Sequence, residues 1–212
     1  MYLYLETDGR IYTVRRGGRL TLPRVGDPIP FPYRVLYQLP WGDEGVAVGV
    51  PRLEAHPEDW IGKDEVPVRE DVSPILREAV HRSMPRVVAE GIVERGESLL
   101  LVRAARGLTA GLWSLPGGFL SFGETPEEAV RREVEEELRV GCSVGELLGV
   151  RAKVGEHTGL HWIIFFFAVE LHGNPRPDPD EIAEARFFPK EEAAMALGDP
   201  TMAAFLREHF RL

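Results

Sequence analysis

Hydrophobic and polar positions alternate at the start of the chain and again after residue 86, and helical spacing appears in only three places. Tyr2–Glu6 alternates large and polar residues, Asp8-Gly9 supplies a hairpin turn, and Ile11–Arg15 alternates again, so the opening predicts a β meander. Gly17-Gly18 marks a second turn before Leu20–Leu22. From Pro23 to Val68 proline and glycine recur among short apolar pieces such as Val46–Val50, which suits short strands and ordered loops. Ser73–Arg82 reads as a helix, capped by Ser73 with Pro74 at its first position.

The pattern changes near Arg86. Val87–Val93 and Ser98–Val102 read as strands joined through Gly96, and a short strand follows at Leu112–Leu115 after the turn-rich Gly107–Gly111. Pro116-Gly117-Gly118 is expected to break the chain ahead of a helix. Strands are then predicted around Val144–Val154, at His161–Leu171 and at Phe187-Phe188, with a last helix at Pro200–His209. Strands interleaved with helices predict a mixed α/β domain over residues 86–212, preceded by a small β-rich domain or extension over residues 1–85.

Composition narrows the function. With 44% hydrophobic and 28% charged residues the chain can bury a core. Its longest unbroken apolar run, Trp162–Val169, is far shorter than the roughly 20 residues a membrane helix needs. The start of the chain shows no basic segment followed by an apolar stretch, and the single cysteine, Cys142, cannot form an internal disulfide, so a cytoplasmic protein is expected. A net charge of −9 argues against binding a nucleic-acid duplex through its backbone. The acid is concentrated after residue 86, where 21 acidic side chains face 14 basic ones, and this excess raises the question of a divalent-cation site.

Leu115–Val140, LPGGFLSFGETPEEAVRREVEEELRV, carries the chemistry. Thr125 is a good N-cap, Pro126 fits the first turn, and Glu128 completes a capping box. Val130, Val134 and Leu138 form the stripe that packs on a sheet. At about 100° per residue, Glu133, Glu136 and Glu137 share a different face. Carboxylates so close repel one another. A hard divalent cation removes that repulsion, and the glycine pair upstream lets backbone approach the same face, where a carbonyl adds a ligand. A solvated, salt-bridged surface is the alternative reading of such a helix.

The same segment resembles the signature of the Nudix hydrolase superfamily: Gly, five residues, Glu, seven residues, then Arg-Glu-apolar-x-Glu-Glu-x-Gly-apolar. Gly118, Glu124, Arg132, Glu133, Val134, Glu136, Glu137 and Val140 fit, and Arg139 stands where the family has glycine. That glycine would close the helix in a left-handed conformation. Arginine there either takes the same shape at a cost of about 1 kcal/mol or lets the helix run on to Gly141. The resemblance implies an α/β/α sandwich with a mixed sheet, and a Mg²⁺-dependent hydrolase, with Mn²⁺ able to substitute, that cleaves a nucleoside diphosphate linked to another group. It implies Glu133, Glu136 and Glu137 as metal ligands with the Gly117 carbonyl as a fourth, and Glu124 with Arg132 as a structural pair. The general base it implies is Glu133 or, on a distant loop, Glu181.

Arg103 and Arg106 are candidates for phosphate oxygens, with Gly118 beside them as part of the substrate site. His157 and His161 lack metal-site spacing, Trp113 and Phe165–Phe167 suit packing, and Cys142 has no partner for nucleophilic chemistry. The Leu-Pro-Gly-Gly-Phe start and the N-terminal extension look most like ADP-ribose pyrophosphatase relatives, and the Ser-Gln-Pro-Trp-Pro-Phe-Pro segment of the NADH-cleaving branch is missing. Nucleoside triphosphate sanitation, or a ligand-sensing module without hydrolysis, are the alternatives. A small-molecule nucleotide partner, no membrane, and a homodimer complete the expectations.

Overall fold

The structure is a computed structural model that describes residues 1–107, 109–155 and 158–212, so His157 lies outside the described residues. The chain forms two compact units: Met1–Pro85 with Val154–His161, and Arg86–Lys153 with Trp162–Leu212. Among the described residues no helix is long and apolar enough to cross a membrane.

The first unit holds β1 (Tyr2–Thr7), β2 (Arg10–Ile11), β3 (Val14–Arg16), β4 (Arg19–Thr21), β5 (Tyr33–Leu39), β6 (Val46–Pro51), β7 (Ile61–Gly62) and α1 (Pro74–Ser83). Asp8 and Gly9 both take positive φ, as a two-residue hairpin turn between right-twisting strands demands. The meander extends no further than that hairpin. β6 lies parallel to β1 and β5 antiparallel to β6, giving the order β5-β6-β1-β2-β7, while β3 and β4 form a separate hairpin, with Leu20 of β4 also bridged to Val72. Parallel pairing joins segments distant in sequence, so local alternation cannot announce it. Ser73 caps α1 by accepting from the Leu76 N–H at 3.3 Å. Tyr4, Ile11, Leu22, Trp41, Val46 and Leu76 are among the buried residues of this unit's core.

The second unit holds β8 (Arg86–Ile92), β9 (Glu94–Arg95), β10 (Ser98–Ala104), β11 (Trp113–Ser114), β12 (Gly117–Phe119), α2 (Pro126–Leu138), β13 (Cys142–Val154, its last residue in the first unit), β14 (His161–Leu171, its first residue likewise), β15 (Ile182–Pro189), α3 (Lys190–Ala196) and α4 (Pro200–Phe210). One sheet runs β12-β8-β14-β13 and mixes directions, since β8 is antiparallel to β12 and parallel to β14. The other runs β11-β10-β15, with β9 also on β10.

Strand alternation in β8 divides the interior. Ala89 and Val93 face the layer that holds Ala129, Val130, Val134 and Leu138 of α2, and Val88 and Ile92 face the layer that holds Met202, Ala203, Phe205 and Leu206 of α4. The unit is therefore an α/β/α sandwich. Burying each valine or leucine side chain contributes about 1.5–3 kcal/mol, so Val130, Val134 and Leu138 of α2 fix which of its faces stays outside.

Several elements differ from the pattern-based expectation: the pattern does not predict the helix Lys190–Ala196, the alternating run Ile11–Arg15 is divided between β2 and β3, and two further differences follow from strand pairing. Gly117–Phe119 is a strand and not a break, because it pairs in register with Val88–Glu90. Strand β15 begins five residues before Phe187, since Ile182–Pro189 pairs along the whole of β10 with one irregularity.

Candidate active site

The acidic helix begins as its sequence dictates. The Thr125 hydroxyl accepts from the Glu128 N–H at 3.2 Å, and the Glu128 carboxylate accepts from the Thr125 N–H at 2.9 Å. At the other end Arg139 takes the left-handed conformation, φ 48° and ψ 42°. Its guanidinium reaches Asp178 at 2.7 Å. The Arg176 and Asp178 N–H groups donate to the Leu138 and Glu137 carbonyls at 2.7 and 2.8 Å. The helix thus ends at Leu138, and a distant loop satisfies carbonyls that a helix end leaves open.

One arginine organises the outer side of the helix. Arg132 grips Glu124 through Nε at 2.7 Å and Nη2 at 3.0 Å, and donates to the Phe119 carbonyl at 3.0 Å. Glu124 also accepts from the Ser121 N–H at 2.7 Å. These contacts tie the loop after the glycines to the helix, and they hold the Glu124 carboxyl down at about 2. Nη1 of Arg132 donates to Glu133 at 2.9 Å and to Glu136 at 3.0 Å. A single guanidinium therefore serves two of the three helix carboxylates.

The inner side is where glycine matters. A β-carbon on Gly118 would stand 2.6–2.8 Å from the Glu133 carboxylate, and one on Gly117 would stand 2.2 Å from the Ala89 carbonyl. Gly117 has φ +148° and donates its N–H to Glu137 at 3.1 Å. Bare backbone lets Glu133 and Glu137 close on the turn. Burial raises the pKa of both, and pushes Glu137 up to about 8, with Glu133, Glu181 and Glu136 adding repulsion.

A fully buried acid joins these two half-buried ones from the sheet. Glu90 lies opposite Gly117 in the β8–β12 register and is only 5% exposed. Among the described residues its Oε2 has no hydrogen-bond partner. Burial, then the charges of Glu137 and Glu133, push its carboxyl well above the usual range. No motif singles out Glu90, although a lone acid inside the apolar run Val87–Val93 was a signal, since carboxylates are rarely buried without a partner.

Glu90 and Glu137 line a cavity of about 440 Å³ with Gly117, Gly118, Trp113, Phe119, Lys153, Trp162 and Asp199 among its other walls. Lys153 pairs with Asp199, the N-cap of α4. The Phe119 and Trp162 rings lie 5.4 Å apart, and Trp113 packs edge-on against Phe188 at 4.8 Å. Apolar pattern marks Trp162 only as part of a strand, and it marks neither Lys153 nor Asp199 as a cavity residue.

Other expected residues stand elsewhere. Arg103 pairs with Glu184 and Arg106 with Glu181, each at 2.7 Å, and neither arginine lines the cavity. They point to acids because β10 and β15 are antiparallel neighbours, a pairing the local sequence does not display. Glu181 sits in the turn whose Asp178 is bonded to the end of α2, and its charge is felt at Glu133 and Glu137. Among the described residues no three His, Cys, Asp or Glu side chains already converge as a metal cage. The arginine and the backbone N–H occupy carboxylate oxygens that a cation would take.

A mixed-sheet sandwich that sets an acid-bearing helix against a glycine turn beside a cleft defines a class of protein. Residues 84–209 match the NUDIX domain family, and the chain belongs to that family. It is 36% identical over 104 residues to an ADP-ribose pyrophosphatase of Methanocaldococcus jannaschii, covering 49% of this chain and 62% of the relative. It is 30% identical over 131 residues to the NAD-capped RNA hydrolase NudC of Pseudomonas syringae pv. tomato, covering 61% of this chain and 46% of the relative. The chain thus spans less than two thirds of either relative. A MutT NUDIX hydrolase from Burkholderia pseudomallei shares the fold with TM-score 0.50 and 31% identity, over 58% of this chain and 97% of that one. The E. coli ORF135 protein does so with TM-score 0.51 and 28% identity, over 61% and 91%.

Proposed function

We propose that this chain is a Mg²⁺-dependent pyrophosphohydrolase that cleaves the phosphoanhydride of a nucleoside diphosphate linked to a second group, with ADP-ribose as the favoured substrate. The observation that carries the reading is the closure of Glu133 and Glu137 onto the Gly117-Gly118 backbone beside a cleft of nucleotide size. Repelling, half-buried carboxylates against bare backbone are costly unless a hard cation joins them, so the donor set fits a divalent metal. Glu133, Glu136, Glu137 and the Gly117 carbonyl would hold it. When bound, such an ion neutralises phosphate oxygens and lowers the pKa of water.

The chain's own residues would do the rest. Lys153 offers positive charge to phosphate oxygens, and the Phe119 and Trp162 rings offer faces to a base. Glu181 or Glu133 would accept the proton of the attacking water at a carboxylate oxygen. Arg132 orients Glu133 and Glu136 while its bond to the Phe119 carbonyl keeps the glycine turn in place.

ADP-ribose is favoured because the relative with 36% identity is named for it, and because the NADH-branch segment is missing from this chain. The test is a panel of ADP-ribose, NADH and nucleoside triphosphates with Mg²⁺, comparing wild type with Glu136→Gln and following phosphate products. Release of AMP from ADP-ribose, lost in the variant with its fold intact, supports the reading. Turnover of triphosphates alone would move the assignment to sanitation, and binding without turnover of any of them would move it to a sensor.

A further inference from the structure

We infer that Glu90 is an additional metal ligand, which with Glu137 holds a divalent cation on the cleft side of Gly117; the inference rests on the hydrolase reading above. Glu90 does not belong to the acidic helix. It reaches Gly117 from the neighbouring strand β8, on the strand face that looks toward α4 and away from α2.

Three observations converge on it. A β-carbon on Gly117 would stand 2.9 Å from the Glu90 Oε2, so the missing side chain at residue 117 leaves room for this carboxylate. That oxygen is buried and unpartnered among the described residues. Glu90 and Glu137 line the same cavity, so both are open to an ion entering with a substrate.

Lys153 lines the cavity too and its charge is felt at Glu90, but its ammonium is bonded to Asp199 and the Glu90 Oε2 has no hydrogen-bond partner among the described residues. A buried carboxyl left this way either holds a proton or pairs with a cation, and a divalent ion entering the cavity would take the place of that proton. Oxygen-only ligands from two neighbouring strands and a helix suit Mg²⁺ or Mn²⁺.

The test measures Mn²⁺ binding to the full chain by calorimetry and by electron paramagnetic resonance, without substrate. Wild type, Glu90→Gln and Glu137→Gln are compared, with Glu90→Met as a second variant that fills the same space should the amide fail to fold. Loss of one bound Mn²⁺, or binding weaker by about tenfold or more, in both the Glu90 and the Glu137 variants is the expected result. Unchanged number and affinity in the Glu90 variants, with Glu137→Gln weakened, overturns this inference and leaves the hydrolase reading standing. Failure of wild type to bind Mn²⁺ overturns both.

Discussion

The carboxyl carbon of Glu133 lies 2.6 Å from the point where a β-carbon of Gly118 would stand. The obstacle is the end of a flexible side chain, so an added methyl displaces the carboxylate without disturbing backbone. Gly118→Ala is therefore expected to stay folded and to lose activity by about 100-fold, the scale of a misplacement of about 1 Å at a reacting centre. Gly117→Ala collides with the Ala89 carbonyl at 2.2 Å and strains a positive φ, and should cost about 2 kcal/mol of stability. Denaturant titration beside the activity assay separates the two. A Gly118→Ala enzyme as active as wild type would disprove the cradle.

Arg139 occupies a left-handed position that favours glycine, and its side chain compensates through Asp178. Arg139→Ala keeps the strain and loses the ion pair, whereas Arg139→Gly removes both. The glycine variant should be more stable than the alanine variant by about 1 kcal/mol in urea denaturation. Equal stabilities would mean that the helix end relaxes once the arginine is gone.

Acid should weaken the Glu124–Arg132 tie in a known direction. The folded carboxyl titrates at about 2, below its ordinary 4.5, so its contribution is complete above that ordinary value and fades as pH falls toward about 2. Glu124→Gln should be less stable than wild type at pH 7, and the gap should close across that window. A gap that persists unchanged to pH 2 would assign the stabilisation to packing and not to charge.

The Trp162 face is expected to carry part of the affinity for a base. Stacking on an aromatic ring is worth about 1–3 kcal/mol, so Trp162→Ala should raise KM for ADP-ribose by about tenfold with a smaller change in kcat. Ribose 5-phosphate linked to pyrophosphate without a base should respond far less. Equal losses on both substrates would argue that Trp162 only supports the sheet.

The legible parts of this protein are local ones. Thr125, Pro126 and Glu128 announce α2 within four residues, and Val130, Val134 and Leu138 show which face it buries. Asp8-Gly9 announces its hairpin for the same reason. What stayed hidden depends on partners distant in sequence. Gly117–Phe119 is a strand only because β8 is beside it, and Arg103 meets Glu184 only because β10 pairs with β15. Glu90 was hidden differently: its role needs the turn at Gly117 across the sheet, and an acid in an apolar run carries no spacing to read.

The described residues Val154, Gly155 and Thr158–His161 belong to the first unit, although the chain on either side of them belongs to the second. Within that first unit the Trp41 indole donates to the Gly159 carbonyl at 3.1 Å, and Arg82 donates to the Thr158 carbonyl at 3.3 Å. Cutting the chain after Pro85 would orphan this tongue of polypeptide midway between two long strands, its donors amputated and its apolar neighbours gone. Anyone seeking a minimal catalytic fragment should shorten or replace the tongue as well, or expect a product that sticks to itself.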